Sequence, residues 1–149
     1  MPVKEFQKKT NLINLSPKLA KKIKFEIKGD YRGSLIPIEN RKNIPFDIKR
    51  IFYIFGTKKG VSRGKHAHKN LKEILICVNG SCKIKLDNGY EREIIELNSP
   101  DEGLYIDNLI WIEMFNFSHD CVLLVLTDDF YRESDYIREY TEFLRIVKG

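Results

Sequence analysis

From Ile23 onward the chain breaks into short apolar runs separated by turn residues: KIKFEIKG, GSLIPIE, IKRIFYIFG, EILICVNG, SCKIKLDNG, REIIELN, EGLYIDNLIWIEMFNF and CVLLVLTDDFY. Runs of this length, rich in β-branched and aromatic residues and bounded by Gly, Asn, Asp or Pro, predict strands. In CKIKL, Cys82, Ile84 and Leu86 alternate with Lys83 and Lys85, so one face is expected to be buried and the other wet. ILICV (74–78) is apolar throughout and predicts a strand buried on both faces. Asn-Gly pairs in NGS (79–81) and DNG (87–89) lie between such runs, the strongest short-range hairpin signal. Only the tail, SDYIREYTEFLRIVK, has helical spacing. Tyr136, Ile137, Tyr140, Phe143, Leu144 and Val147 fall on one stripe, with Ser134 placed as N-cap. Short strands, tight turns and a terminal helix predict an all-β antiparallel barrel or jelly roll with a short C-terminal helix. An open α/β sheet lacks its crossover helices here. Residues 1–22, polar and lysine-rich, read as an arm or edge strand before a single domain at 23–149.

At 149 residues the chain suffices for one domain, which buries about 68–70% of its unfolded surface. The net charge of +5 favours an anionic partner. Its lysines crowd the N-terminal quarter, and no RNP-like, zinc-finger or helix-turn-helix pattern occurs, so the charge suits a phosphorylated small molecule rather than nucleic acid. No apolar run approaches the roughly 20 residues a bilayer requires, and no signal-type stretch opens the chain; a cytoplasmic address with no membrane contact is expected. Cys77, Cys82 and Cys121 lie in or beside apolar runs without CxxC spacing, which reads as small buried side chains in a reducing compartment.

The stretch GVSRGKHAHKNLKEILICVNG carries two of the three histidines one residue apart. On a strand, His66 and His68 point to the same face, about 6–7 Å apart along it. If that face is the barrel interior, both imidazoles line a pocket.

The frame Gly60, five residues, His66-x-His68, four residues, Glu73, six residues, Gly80 resembles the first motif of the cupin superfamily, whose members are small jelly-roll barrels of the double-stranded β-helix type. Metal-binding cupins take a further histidine from a second motif. The corresponding stretch GLYIDNLIWIEMF has Ile112 after Trp111, and His119 comes seven residues later in NFSHDC. A transition metal wants three or four protein ligands. His66, His68 and Glu73 form an incomplete set, so the pair reads as metal-free proton carriers.

Within the cupins, RGSLIPIE, NIPFDIKRIFYIF, RGKHAHK, ILICVNGS, IIELNSP, GLYI, CVLLVL and SDYIREY resemble the sugar 3,4-ketoisomerases, over about Gly29 to Phe143. The resemblance implies a dTDP-linked 4-keto-6-deoxyhexose as substrate, no cofactor, and a homodimer, in which N-terminal strands are often exchanged. It implies His66 as the base that removes the C3 proton, with His68 donating to or shuttling between the two oxygens. An imidazole near pKa 6.5 suits that task. Arg50 and Arg63 are the expected forks for the pyrophosphate, with Lys69 beside them. Glu73 would orient a histidine, and Tyr53, Tyr105 and Trp111 match positions near the pocket. Phe52 stands where relatives commonly carry a tyrosine. Arg32 matches the pattern of enzymes giving the galacto ketone, whereas Ile112 fits neither the galacto nor the gluco pattern. Three alternatives stay open: a 3,5-epimerase, a catalytically silent sugar-nucleotide-binding cupin, and a metal cupin dioxygenase.

Overall fold

A computed structural model describes residues 17–149. The expected arm at 1–22 therefore lies mostly outside the described residues; its last two positions open strand β1 (Lys21–Lys24), which pairs at the edge of a sheet with β9. Eleven further strands follow: β2 (Lys28–Asp30), β3 (Gly33–Leu35), β4 (Arg50–Phe55), β5 (Arg63–His68), β6 (Glu73–Asn79), β7 (Cys82–Asp87), β8 (Arg92–Leu97), β9 (Glu102–Ile106), β10 (Trp111–Phe115), β11 (Val122–Thr127) and β12 (Tyr136–Ile137), and helix α1 (Tyr140–Lys148) ends the chain. One sheet has the order β1-β9-β6-β11-β4 and the other β12-β5-β10-β7-β8, with β2-β3 a separate hairpin. Every pairing is antiparallel. This is the cupin-type jelly roll.

The barrel interior is filled by one side of each strand. Cys82, Ile84 and Leu86 on β7 are fully buried there, as their alternation with Lys83 and Lys85 predicts. β6 is buried on both sides for two reasons. Leu75 and Cys77 face the interior, whereas Ile74 and Ile76 meet a second cluster built with Phe25, Ile44 and Phe46. Val78, at 39% exposed, escapes this cover because it lies past the end of that cluster. On the far side, α1 seals the second sheet through Phe143, packed with Trp111, Ala67 and Ile137. Full burial of such a ring contributes about 1.5–3 kcal/mol before entropy.

Three expectations change. The Asn-Gly at 88–89 does close a hairpin, β7-β8. The one at 79–80 instead carries the chain from one sheet to the other, since β6 and β7 do not pair. A tight turn is needed in both cases, and Asn-Gly specifies the turn rather than the pairing. The long run EGLYIDNLIWIEMFNF divides into β9 and β10 around Leu109, whose φ is 59°. Finally, the tail is not one helix: Tyr136 and Ile137 pair with His68 and Ala67, so the sheet takes their backbone groups and α1 begins only at Tyr140. Ser134 is no N-cap; that position belongs to Glu139, which makes no side-chain capping bond.

Candidate active site

The sheets enclose a cavity of about 320 Å³, lined on one wall by Arg50, Phe52, Glu73 and Thr127 and on the other by Arg63, His66, His68 and Ile112, with Tyr136 and Arg138 at the lip. Strand register explains the first wall. Thr127 of β11 pairs with Arg50 on one side and Glu73 on the other, making one row across three strands. Val125 places Phe52 and Leu75 in the next row.

A β-bulge shapes the second wall. Ile112 pairs with His66, Glu113 with Gly64 and Met114 with Arg63, so Lys65 is the extra residue. Arg63 and His66 are three apart and would face opposite sides of a regular strand; the bulge brings both to the cavity. Gly64 (φ 86°) and Lys65 (φ 55°) take the left-handed conformation there. A Cβ on Gly64 would lie 2.9 Å from the Ile112 carbonyl oxygen, so glycine suits the position on two counts.

The imidazoles sit edge to face, ring centroids 5.0 Å apart, and the Tyr136 ring touches both at 4.9 and 4.5 Å. His68 is 4% exposed, and its Nδ1 donates to Asp135 Oδ2 at 3.2 Å, which leaves Nε2 as the bare nitrogen. Asp135 also accepts from the Asn70 and Leu71 backbone N–H groups. His66 Nδ1 is, among the described residues, the one buried side-chain nitrogen or oxygen without a hydrogen-bond partner. Burial, then the neighbouring His68, lower the His66 pKa to about 4, with the Gly64 carbonyl pulling the other way. His68 is lowered by burial too, opposed by Asp135. Both rings are therefore neutral at pH 7, and His66 titrates well below the near-neutral value expected of it. Burial pushes the Glu73 carboxyl up to about 7, with the Arg50 charge opposing.

Arg50 lies over the rings of Phe52 and Tyr131 at 4.4 and 5.3 Å, and neither Arg50 nor Arg63 forms an ion pair with a described residue. Arg138 stacks on Tyr136 at 4.4 Å and is held by both oxygens of Glu133, whose carboxylate also accepts from the Tyr131 hydroxyl. The cavity thus offers two guanidinium groups without a carboxylate partner among the described residues, beside two neutral imidazoles, a fit for an anion with a reacting carbonyl.

The structure thus brings His66, His68, Arg50, Arg63 and Glu73 together. Five other sequence candidates lie elsewhere. Tyr53, 62% exposed, is on the outer side of β4 against Phe55, and alternation puts Phe52 inside instead. Tyr105 faces the second cluster, 6.3 Å from Phe46. Trp111 packs under α1 between Tyr140 and Phe143, so that Ile112 faces inward. Lys69 is exposed past the end of β5, its backbone tied to Asp135 and Asn108. Arg32 sits on the β2-β3 hairpin, paired with Asp30. Asp135, Tyr136 and Arg138 were missed, because a helical reading sends Tyr136 and Ile137 to one stripe. The signal available was the alternation Tyr136, Ile137, Arg138, polar-apolar-polar at strand period. His66, His68 and Glu73 do not converge as metal ligands: among the described residues the group that does is the cysteine trio.

Comparison with known proteins identifies the family. The family described as "FdtA: WxcM-like, C-terminal" matches residues 18–148. The TDP-4-oxo-6-deoxy-alpha-D-glucose-3,4-oxoisomerase of Aneurinibacillus thermoaerophilus is 52% identical over 118 residues, 79% of this chain and 85% of that protein. A 3,4-ketoisomerase from Helicobacter canadensis is similar in structure, with TM-score 0.85 and 52% identity over 87% of this chain and 98% of that one. So is a histidine-to-asparagine variant of the 3,4-ketoisomerase QdtA from Thermoanaerobacterium thermosaccharolyticum, solved with TDP-4-keto-6-deoxyglucose. Its TM-score is 0.86 and its identity 48%, over 89% of this chain and 96% of that one.

Proposed function

Because the chain belongs to the FdtA family of sugar 3,4-ketoisomerases and is an isomerase, we propose that its substrate is dTDP-4-keto-6-deoxyglucose and that its two histidines carry the proton. The C4 ketone acidifies the hydrogen on C3. Neutral His66 removes it, giving an enediolate, and a proton delivered to C4 leaves the ketone at C3. His68, held by Asp135, donates to the developing oxygens, and Arg50 and Arg63 grip the diphosphate. Glu73, largely protonated below pH 7, adds a donor to the same wall. The observation that carries this reading is the half-buried His66 ring, which lines one cavity with His68, 5.0 Å away, and with Arg50 and Arg63. A second assignment, with His68 as base, is favoured by the Asp135 contact, which fixes its tautomer with Nε2 bare.

The product ketone at C3 is the group that an amination consumes, so we place the enzyme before a transaminase making a 3-amino-3,6-dideoxyhexose for a surface glycan. A cytoplasmic address keeps the three cysteines, all free, reduced. No helix of the described residues is long and apolar enough to cross a membrane. We read the protein as a homodimer, supported by apolar side chains left exposed along edge strand β4 (Ile51, Tyr53 and Phe55) and on the β2-β3 hairpin (Tyr31 and Leu35). NMR of product formed from dTDP-4-keto-6-deoxyglucose in D₂O tests the reaction and its stereochemistry at C4. A C3 ketone with deuterium at C4 is expected. Exchange at C3 and C5 with the ketone still at C4 marks an epimerase and refutes the reading, and so does unchanged substrate; a C3 ketone that keeps the transferred hydrogen marks a direct shuttle and supports it.

A further inference from the structure

The opposite end of the barrel holds chemistry that the isomerase site does not use. Cys77 lies near the end of β6, Cys82 opens β7 and Cys121 immediately precedes β11, and all three thiols are free and at most 3% exposed. Their sulfurs lie within 4.8 Å of one another, with Cys77 Sγ 3.7 Å from Cys121 Sγ. Residues this far apart in sequence meet because β6, β7 and β11 all end or begin here. The cover is thin, consisting of the 79–81 connection and the 116–120 turn. Asn79 Nδ2 donates to the Asp120 carbonyl, and Ser81 N–H donates to Ser118 Oγ. Cys77 is four residues along β6 from Glu73, about 13 Å at strand spacing, so this cluster is separate from the catalytic cavity.

Three sulfurs bound to one side of a pyramidal centre, each about 2.3 Å from it, stand about 3.5 Å apart. The Cys77–Cys121 pair, at 3.7 Å, stands close to that spacing, and Cys82 Sγ lies within 4.8 Å of both. Soft thiolate sets select soft ions. Charge narrows the choice, because the surroundings are apolar and the charged side chain beside Cys121 is the carboxylate of Asp120. A buried site of this kind disfavours a net negative complex. Three thiolates around Zn²⁺ or Cu⁺ stay anionic, whereas around a trivalent centre they are neutral.

We propose that Cys77, Cys82 and Cys121 form a three-sulfur site for a soft trivalent ion, with arsenic(III) as its charge-matched occupant. Loading from arsenous acid balances without redox change. Three As–O bonds break, three As–S bonds form, and the thiol protons leave with the hydroxides as three waters. Entry requires the two covering turns to open, so loading is slow.

The test uses the full-length reduced protein with equimolar sodium arsenite, freed of excess reagent and weighed intact under non-denaturing conditions. The expected product gains one arsenic and loses three hydrogens, and arsenic X-ray absorption finds three sulfur neighbours. Folded Cys82→Ser, checked by circular dichroism, is expected to lose that adduct; if it does not fold, the wild-type hydrogen count and absorption spectrum decide. No adduct, loss of only two hydrogens, or an equal adduct in folded Cys82→Ser overturns the site. Zinc or copper(I) that resists displacement by arsenite overturns the arsenic assignment. None of these outcomes depends on the isomerase reading.

Discussion

Asp135 Oδ2 accepts from His68 Nδ1 at 3.2 Å, joining a residue just before β12 to the last residue of β5. The contact exists because β12 adds to the sheet at that point, Tyr136 opposite His68. One carboxylate therefore fixes the tautomer of a cavity histidine and ties down the loop after it.

Asp135→Asn keeps one acceptor oxygen, for the Asn70 N–H, but turns an amide NH₂ towards Leu71 N–H and His68 Nδ1, so it no longer favours the Nδ1–H tautomer of His68. The expected result is a folded enzyme with kcat lowered roughly 10–100-fold and KM little changed, the size of effect that follows loss of a carboxylate orienting a functional histidine. Steady-state kinetics with circular dichroism checks it.

Gly64→Ala tests the bulge. With φ at 86° and the Ile112 oxygen 2.9 Å from the new Cβ, the substitution is expected to cost about 1–3 kcal/mol in urea unfolding. Activity should fall further than stability, because His66 and Arg63 owe their shared direction to this bulge.

Much of this architecture was legible in the residues. The alternation in CKIKL and the unbroken ILICV reported which faces are covered, because burial follows strand period directly. The histidine spacing reported a shared face. The Arg63-His66 relationship was not legible, since a bulge changes strand parity without an unambiguous sequence mark. Nor was β12, where two residues of an apparently helical tail find a sheet edge whose existence depends on distant β5. Tyr105 and Trp111 match positions near the pocket in the family resemblance, but their strands turn them to the outer clusters.

Glu73 gives stability a defined pH dependence. Its pKa is about 7 folded against about 4.5 unfolded, so the folded chain binds the extra proton between these values. That contribution is present below about pH 4.5 and lost as pH rises through 7, on the order of 3 kcal/mol in all. His66 acts oppositely, losing stability as pH falls from about 6.5 towards 4. Urea unfolding at pH 5 and pH 8 should show Glu73→Gln gaining relative to wild type at pH 8; an equal difference at both pH values contradicts the assignment.

The His66 shift also sets the rate profile. In the free enzyme the acid limb of kcat/KM is expected well below 6.5, towards 4. A bound diphosphate favours the charged imidazole, so the limb of kcat should lie at higher pH. A kcat/KM limb at or above 6.5 would exclude a half-buried, neutral His66 as the base.

The most direct measurement follows hydrogen lost from C3 of dTDP-4-keto-6-deoxyglucose labelled there with deuterium, in a single turnover with wild type, His66→Asn and His68→Asn. Loss of the label should proceed with wild type, stop with folded His66→Asn and persist, slowed, with His68→Asn. Release at the wild-type rate from His66→Asn would contradict the account.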